Sequence, residues 1–169
     1  MDEKIRKALK SAFDGEAKAA LRLKVYAEKA DSEGYIQIAK LFRAVAASEG
    51  IHGTRALKTL REIGSTEDNL AASFESEENV AKAAYNRFIK EATEAGDKEA
   101  ALFFTQSRDV EETHAKLYKD ALSSMASDRG IDYFICGVCG YVAQENIPDE
   151  CPVCRARKDR FFPYGEVCR

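Results

Sequence analysis

Two Glu-x-x-His motifs limit what this chain can fold into. The chain has two histidines, and each follows a glutamate by three residues, in Glu49-Gly-Ile-His52 and in Glu111-Glu-Thr-His114. On an α-helix this spacing places the carboxylate and the imidazole one turn apart on the same face. Two such pairs, with one further glutamate from each of two other helices, form the ligand set of a di-iron carboxylate four-helix bundle. The motifs therefore predict two helices with metal-binding faces.

Composition divides the 169-residue chain into two parts. All three prolines and all five cysteines lie after residue 134, whereas the preceding part is rich in Ala, Glu, Lys and Leu. We expect a helical domain over residues 1–130 and a small cysteine-organised domain over residues 131–169. A segment of that size is too small to be held by an apolar core alone, so a metal should organise it.

The charge distribution argues against a nucleic-acid partner. The net charge is −3, and residues 133–169 contain five basic and five acidic side chains, so the helical part carries the whole negative excess. The sequence has no basic stripe for nucleic acid, no apolar signal region at the N-terminus and no 18-residue apolar run. We therefore expect a soluble cytoplasmic protein, in which paired cysteines act as metal ligands rather than disulfides.

Four amphipathic segments are predicted, and the second two repeat the first two. Gly34 precedes Glu49 by 15 residues and His52 by 18, and Gly96 precedes Glu111 and His114 by the same distances. The glycines are placed as helix C-caps, and residues 64–69 indicate the longer crossover between the pairs. The repeat predicts two helix hairpins, related by a pseudo-twofold axis, whose ligands meet in the middle of the bundle.

The two remaining ligands fall in phase with this pattern. Glu16 precedes Glu49 by 33 residues on the apolar stripe of the first helix, and Glu77 precedes Glu111 by 34 on that of the third. Carboxylates on an apolar stripe are costly unless they are paired or bind a metal. Four carboxylates balance two divalent cations, and oxygen-rich ligation with one imidazole per ion favours iron or manganese over zinc. The alternative is a hydrogen-bonded polar layer, or Glu–His pairs on solvated faces.

A second metal site is predicted near the C-terminus. Cys136 and Cys139 form one Cys-x-x-Cys pair, and Cys151 and Cys154 form another, with eleven residues between the pairs. Two such pairs build a tetrahedral tetrathiolate site for iron or zinc. A structural zinc ribbon is the alternative. Cys168 lies outside both pairs and is expected to be a spare thiol.

With these motifs the chain strongly resembles a rubrerythrin over nearly its whole length. The matching residues are Gly15-Glu16, Glu49-x-x-His52, Glu77 eight residues before Tyr85, Glu111-x-x-His114, and the rubredoxin-like Cys136, Cys139, Cys151 and Cys154. The resemblance implies a mainly α protein, in which a ferritin-like antiparallel four-helix bundle is followed by a small β-rich rubredoxin-like module.

The resemblance also implies an activity. Rubrerythrins reduce hydrogen peroxide to water at a non-haem di-iron site, with electrons that pass from reduced pyridine nucleotide through a reductase to the rubredoxin-like iron. By analogy Glu49 and Glu111 would bridge the irons, Glu16 and Glu77 would be terminal ligands, and Tyr85 would orient them. The resemblance further implies a head-to-tail homodimer and a role in defence against oxidative stress.

Three positions depart from the family pattern. Val80 stands where members carry a second Glu that exchanges with the residue matching His52, and Leu23 stands where a Tyr is usual. Arg155 replaces the Gly that follows the second cysteine pair. The missing Glu makes a ferritin-like ferroxidase or oxidase, handling oxygen and ferrous iron, the alternative function. A redox-inactive binding protein with a zinc ribbon is a third interpretation.

Overall fold

The structure is a computed structural model that describes residues 1–125 and 130–164. The chain divides into two compact units, Met1–Gly64 and Ser65–Arg169. Among the described residues, none of the helices is both long and apolar enough to cross a membrane. The predicted mainly helical fold with a small β-sheet after it is confirmed, whereas the domain boundary after residue 130 stays a prediction.

The first unit is a hairpin of two long helices, α1 (Glu3–Ser32) and α2 (Ile36–Leu60). Asp2 caps α1, since its carboxylate accepts hydrogen bonds from the backbone N–H groups of Lys4 and Ile5. Near the loop, the buried alanines Ala27, Ala30 and Ala39 pack together with Phe42 against them. Small side chains at this contact allow the two helices to approach closely.

The second unit begins with a helix that is interrupted by a π-helical turn. Its elements are α3 (Thr66–Asn79), the π-helical turn Val80–Tyr85, α4 (Asn86–Glu94) and α5 (Lys98–Ser124). The rings of Tyr85 and Phe88 both lie close to Phe104, with ring centroids 6.2 and 5.3 Å apart, and so join the turn and α4 to α5.

The two glycines predicted to be helix C-caps end α1 and α4 with the same backbone conformation and the same hydrogen bonds. Gly34 and Gly96 have φ of 82° and 74°, in the left-handed region that favours glycine. In the first unit the N–H of Gly34 donates to the carbonyl of Asp31, and the N–H of Tyr35 donates to that of Ala30. In the second unit the N–H of Gly96 donates to the carbonyl of Thr93, and the N–H of the next residue donates to that of Ala92. These are Schellman motifs, and their identity supports the predicted repeat.

The predicted crossover over residues 64–69 is wrong, because α3 already begins at Thr66. Ser65 and Asp68 form a capping box: the Ser65 hydroxyl accepts from the N–H of Asp68, and the Asp68 carboxylate accepts from the N–H of Ser65. This reciprocal pair satisfies two backbone donors at the helix start and so fixes the first turn. The connection between α2 and α3 is therefore residues 61–65.

The C-terminal part of the second unit is a small antiparallel sheet with strand order β2-β1-β3. β1 is Tyr133–Cys136, β2 is Val142–Gln144 and β3 is Phe161–Pro163, with a 3-10 turn at Lys158–Arg160 before β3. In β1, Ile135 lies opposite Val142 on one side and Phe162 on the other. Cys168 lies outside the described residues.

Candidate metal centres

The four cysteines of the two Cys-x-x-Cys pairs come together beside the sheet. All four are free thiols, and Cys136 and Cys151 are buried. The sulfur of Cys136 lies 3.7 Å from that of Cys154, and the sulfur of Cys139 lies 3.6 Å from that of Cys151. Four sulfurs bound at about 2.3 Å to one tetrahedral ion would lie about 3.8 Å apart. The four thiols therefore fit a tetrathiolate metal site.

Each cysteine pair is closed by a left-handed residue. The N–H of Gly140 donates to Cys136 O at 2.9 Å, and the N–H of Arg155 donates to Cys151 O at 3.0 Å. Gly140 has φ 85° and Arg155 has φ 62°. The two turns are thus built alike, although a side chain at a left-handed position is strained and glycine is not. Arg155 holds a position at which glycine would be favoured.

The environments of the thiols differ. Burial is the largest influence on Cys136, yet hydrogen bonds from the backbone N–H groups of Cys139 and Val138 outweigh it and hold the pKa of that thiol below its ordinary value. Burial raises the pKa of the Cys139 and Cys154 thiols. A bound cation reverses this penalty, because metal coordination favours the thiolate.

In the first unit, Glu16 of α1 faces Glu49 and His52 of α2. One ligand atom from each residue lies within 4.8 Å of the others. The Nδ1 atom of His52 is 3.0 Å from Glu49 Oε2 and 3.9 Å from Glu16 Oε1. Two donors bound at about 2.1 Å and at right angles to one ion are about 3.0 Å apart. This triad therefore has the donor set and the spacing of a divalent metal site.

Gly53 lies where α1 packs against α2 beside this triad. It is buried, and a Cβ atom added at its position would lie 3.6 Å from the Cβ of Glu16 and 3.8 Å from the backbone nitrogen of Ala17. Gly50 differs, since an added Cβ there would have nothing within 4 Å. The distances at Gly53 are ordinary van der Waals distances, so α1 leaves room for a methyl group at this glycine of α2, which faces Glu16.

In the second unit, Glu77 of α3 faces Glu111 and His114 of α5. Their ligand atoms also lie within 4.8 Å of one another, and His114 Nδ1 is 2.9 Å from Glu111 Oε2. The His114 side chain is 25% exposed, against 50% for His52. Among the described residues the buried Nε2 atom of His114 has no hydrogen-bond partner, so a bound water would help to satisfy this nitrogen while Nδ1 faces Glu111.

The pKa values of Glu16 and Glu77, the glutamates outside the two Glu-x-x-His motifs, are raised by their surroundings. A hydrogen bond with the Glu49 side chain, followed by burial, raises the pKa of Glu16. Burial, followed by a hydrogen bond with Glu111, raises the pKa of Glu77. Like charges held this close disfavour full ionisation of the pair. A divalent cation at either triad removes that repulsion, which is the electrostatic reason for assigning metal to these residues.

The structure therefore brings the six predicted ligands together three at a time. The single six-residue site stays a prediction, and so does the role of Tyr85. Among the described residues, no hydrogen bond joins the Tyr85 hydroxyl to a ligand, and its ring packs against both Phe88 and Phe104. Val80, at the first position of the π-helical turn, is half-buried.

Sequence reasoning missed the π-helical turn, although a signal was present. Glu77 precedes Gly96 by 19 residues, whereas Glu16 precedes Gly34 by 18. A π-helical turn is the usual way for a helix to absorb one extra residue. The turn lies between Glu77 and Gly96, so the inserted residue is accommodated without moving either motif out of phase.

Comparisons with known proteins cover both the helical part of the chain and its cysteine-containing part. The family model for rubrerythrin matches residues 7–122, and the model for the rubredoxin-like domain of rubrerythrin matches residues 134–162. The chain is 32% identical to rubrerythrin-2 of Clostridium acetobutylicum, over 90% of this chain and 92% of that one. It is also 32% identical to nigerythrin of Nitratidesulfovibrio vulgaris, over 92% and 84% of the two chains.

Solved structures give the same result. Nigerythrin in its fully reduced, all-ferrous state superposes with a TM-score of 0.59 at 29% identity, over 94% of this chain and 86% of that chain. Both candidate carboxylate triads lie within the first family match, and all four cysteines of the tetrathiolate site lie within the second. The chain therefore belongs to the rubrerythrin family and combines its helical Glu/His domain with its rubredoxin-like domain.

Proposed function

We propose that this protein is a non-haem di-iron peroxidase that takes electrons through its rubredoxin-like centre. The reaction would be H2O2 + 2 e⁻ + 2 H⁺ → 2 H2O, which breaks the O–O bond and reduces both oxygens. The observation that carries the proposal is the presence, in one chain, of two equivalent Glu/Glu/His triads and a tetrathiolate site. A protein that only stores iron does not need a tetrathiolate centre. A peroxidase does, because its di-iron pair must receive electrons after each turnover.

The residues suit two ferrous ions, which would supply one electron each and act as Lewis acids toward peroxide. By analogy with the family, Glu49 and Glu111 would hold both ions, and Glu16 and Glu77 would each be a terminal ligand to one. His52 and His114 each present Nδ1 toward a glutamate oxygen, so each can give one nitrogen to one ion. Four carboxylates then balance the charge of two divalent cations.

The proposed electron path begins at an iron held by Cys136, Cys139, Cys151 and Cys154. A single iron in such a site carries one electron at a time, so two transfers from an NAD(P)H-linked reductase would restore the di-iron pair. We further propose that the protein acts as a cytoplasmic homodimer, in which the rubredoxin-like module of one subunit serves the di-iron site of its partner. This arrangement would place the protein in defence against oxidative stress.

One observation favours a second candidate, a ferroxidase or oxidase that handles oxygen and ferrous iron. Val80 lies three residues after Glu77, at the start of the π-helical turn, and brings no seventh carboxylate. Without that carboxylate the ligand exchange of the family cannot occur in its usual form. The relative rates with peroxide and with oxygen distinguish the two functions.

The test is anaerobic reconstitution with iron, full reduction, and paired stopped-flow mixing with peroxide and with oxygen. We expect 1.5 equivalents of peroxide, which accept three electrons, to oxidise the di-iron pair and the tetrathiolate iron of each chain faster than oxygen does. Glu111→Gln should lose this reaction, while Glu112→Gln, its exposed neighbour, should retain it. Reduced signals that persist after stoichiometric peroxide would refute the peroxidase, and faster oxidation by oxygen would favour the oxidase.

A further inference from the structure

The connection between the two helix hairpins is short and is held at both ends. α2 ends at Leu60 and α3 begins at Thr66, which leaves residues 61–65 to join them. At one end, the Glu62 carboxylate forms ion pairs with Arg6 and Lys10 of α1, at 3.6 and 3.1 Å. At the other end, Ser65 is fixed as the N-cap of α3. The chain between the hairpins is therefore close to its minimum length.

A ferritin-like bundle requires a much longer connection. In that topology the second and third helices run in the same direction, so the chain must cross the length of the bundle to reach the start of the third helix. α2 has 25 residues, which corresponds to about 37 Å at 1.5 Å per residue. Five linking residues span about 18 Å at most. Residues 61–65 cannot make this crossing within one chain.

The ligand-bearing faces of both hairpins carry uncovered apolar side chains at equivalent positions. Leu41 precedes His52 by eleven residues, and Phe103 precedes His114 by eleven. Eleven residues are about three helical turns, so each apolar residue lies on the same face as its histidine. Leu41 is 56% exposed and Phe103 is 60% exposed. These side chains lie about 16 Å along the helix from the histidine, and a covering surface on this face would remove them from water.

We propose that a second copy of this chain supplies that cover and completes each di-iron site. The α1–α2 hairpin of one subunit would pair with the α3–α5 part of the other, so that Glu16, Glu49 and His52 share two irons with the partner's Glu77, the partner's Glu111 and the partner's His114. A closed twofold dimer then contains two complete sites. This inference rests on the six-ligand site of the proposed function, and it adds that both chains contribute to each site.

Two inactive variants provide the test. Glu49→Ala removes a ligand from the first hairpin, and Glu111→Ala removes its equivalent from the second. The two variants are co-expressed with different affinity tags, and mixed dimers are purified through both tags. In an exchanged dimer, one site receives both damaged halves and the other receives two intact halves. Mixed dimers should therefore regain about half of the wild-type signal of a coupled iron pair.

The readout is the mixed-valence EPR signal of two coupled irons, with the visible absorbance of the tetrathiolate iron as the control for folding. Each variant alone should lack the coupled signal. If mixed dimers also lack it while the wild-type dimer has it, exchange is refuted and the di-iron site stands. If the wild-type protein itself lacks it, the six-ligand site fails, and the proposed function and this inference fail together.

Linker length gives an independent measurement. A flexible insertion of 15 residues between Gly64 and Ser65 would let the connection span the crossing within one chain, so we expect monomers that retain the coupled signal. A three-residue insertion extends the reach to only about 28 Å and should leave the protein dimeric. A wild-type monomer with the full coupled signal would overturn the inference.

Discussion

Arg155 holds a left-handed backbone at the second cysteine pair, and replacing it by glycine should tighten metal binding by the rubredoxin-like module. Its φ of 62° places the Cβ atom close to the following carbonyl, which costs a side chain about 1–2 kcal/mol. Glycine relieves this strain but loses about 0.4–1 kcal/mol more backbone freedom on folding. The net gain from Arg155→Gly should be about 0.5–1 kcal/mol.

Because folding of so small a module is coupled to its metal, this gain should appear in metal affinity. A gain of 0.5–1 kcal/mol corresponds to an about two- to fivefold lower Kd for the ion. The assay is competition between the full-length, zinc-loaded protein and a chelator. Arg157→Gly is the matched control: it also removes an exposed arginine, but its φ is −69°, so glycine there should weaken binding slightly.

Arg155→Ala separates backbone strain from charge, since it removes the guanidinium and retains the Cβ atom. We expect its affinity to stay close to that of the wild-type protein. Equal gains from Arg155→Ala and Arg155→Gly would show that charge governs the effect and would refute the argument from backbone strain. Loss of affinity in Arg155→Gly alone would refute it as well.

Four further predictions concern the helices and the metal. Gly50→Ala should raise the free energy of unfolding by about 0.5–1 kcal/mol in urea titrations, because the added Cβ meets nothing within 4 Å, whereas Gly53→Leu should lower it by pushing α1 away near Glu16. Ser65→Ala should cost about 1 kcal/mol through loss of the α3 cap. The Ser65 hydroxyl, and then its backbone N–H, hold the pKa of Asp68 below its ordinary value. Its stabilising contribution is therefore present above that ordinary value and is lost as the pH falls through the lowered pKa, and Asp68→Asn should flatten a urea series between about pH 5 and pH 2. Chelation should abolish the tetrathiolate absorbance and unfold the sheet while the helical circular dichroism signal persists, and simultaneous loss of both would contradict a separately organised module.

The spacing of residues in the sequence was enough to predict much of the helical architecture. The Glu-x-x-His motifs, the in-phase Glu16 and Glu77, and the two capping glycines predicted the helices and grouped the ligands by hairpin. These features are local, since a helical face follows from sequence separation and a left-handed C-cap from glycine. The resemblance marked Arg155 as standing where the family has Gly, and its left-handed backbone, like that of Gly140 after the first cysteine pair, explains why glycine is favoured there.

The connection between the hairpins was predicted less accurately. Residues 64–69 contain Gly, Ser, Thr, Asp and Asn, which are typical of loops, and composition predicted a loop there. The same residues contain Ser65 three positions before Asp68, which is the signature of a helix start. A capping pattern and a loop pattern share their residue types, so position decides between them. The helix start shortened the connection, and that short connection is the basis for expecting a second subunit at each site.

The repeat is broken where the π-helical turn lies, and this break gives the two halves of the site different properties. The turn Val80–Tyr85 follows Glu77 directly, while α1 continues as a regular helix past Glu16. In the second unit His114 is 25% exposed and Nε2 is buried, whereas His52 in the first unit is 50% exposed. Within its own hairpin the His52 ring is less enclosed than the His114 ring, so its own chain restrains its rotation less. If ligand exchange persists without the switching Glu, the first triad is therefore the half in which it should occur.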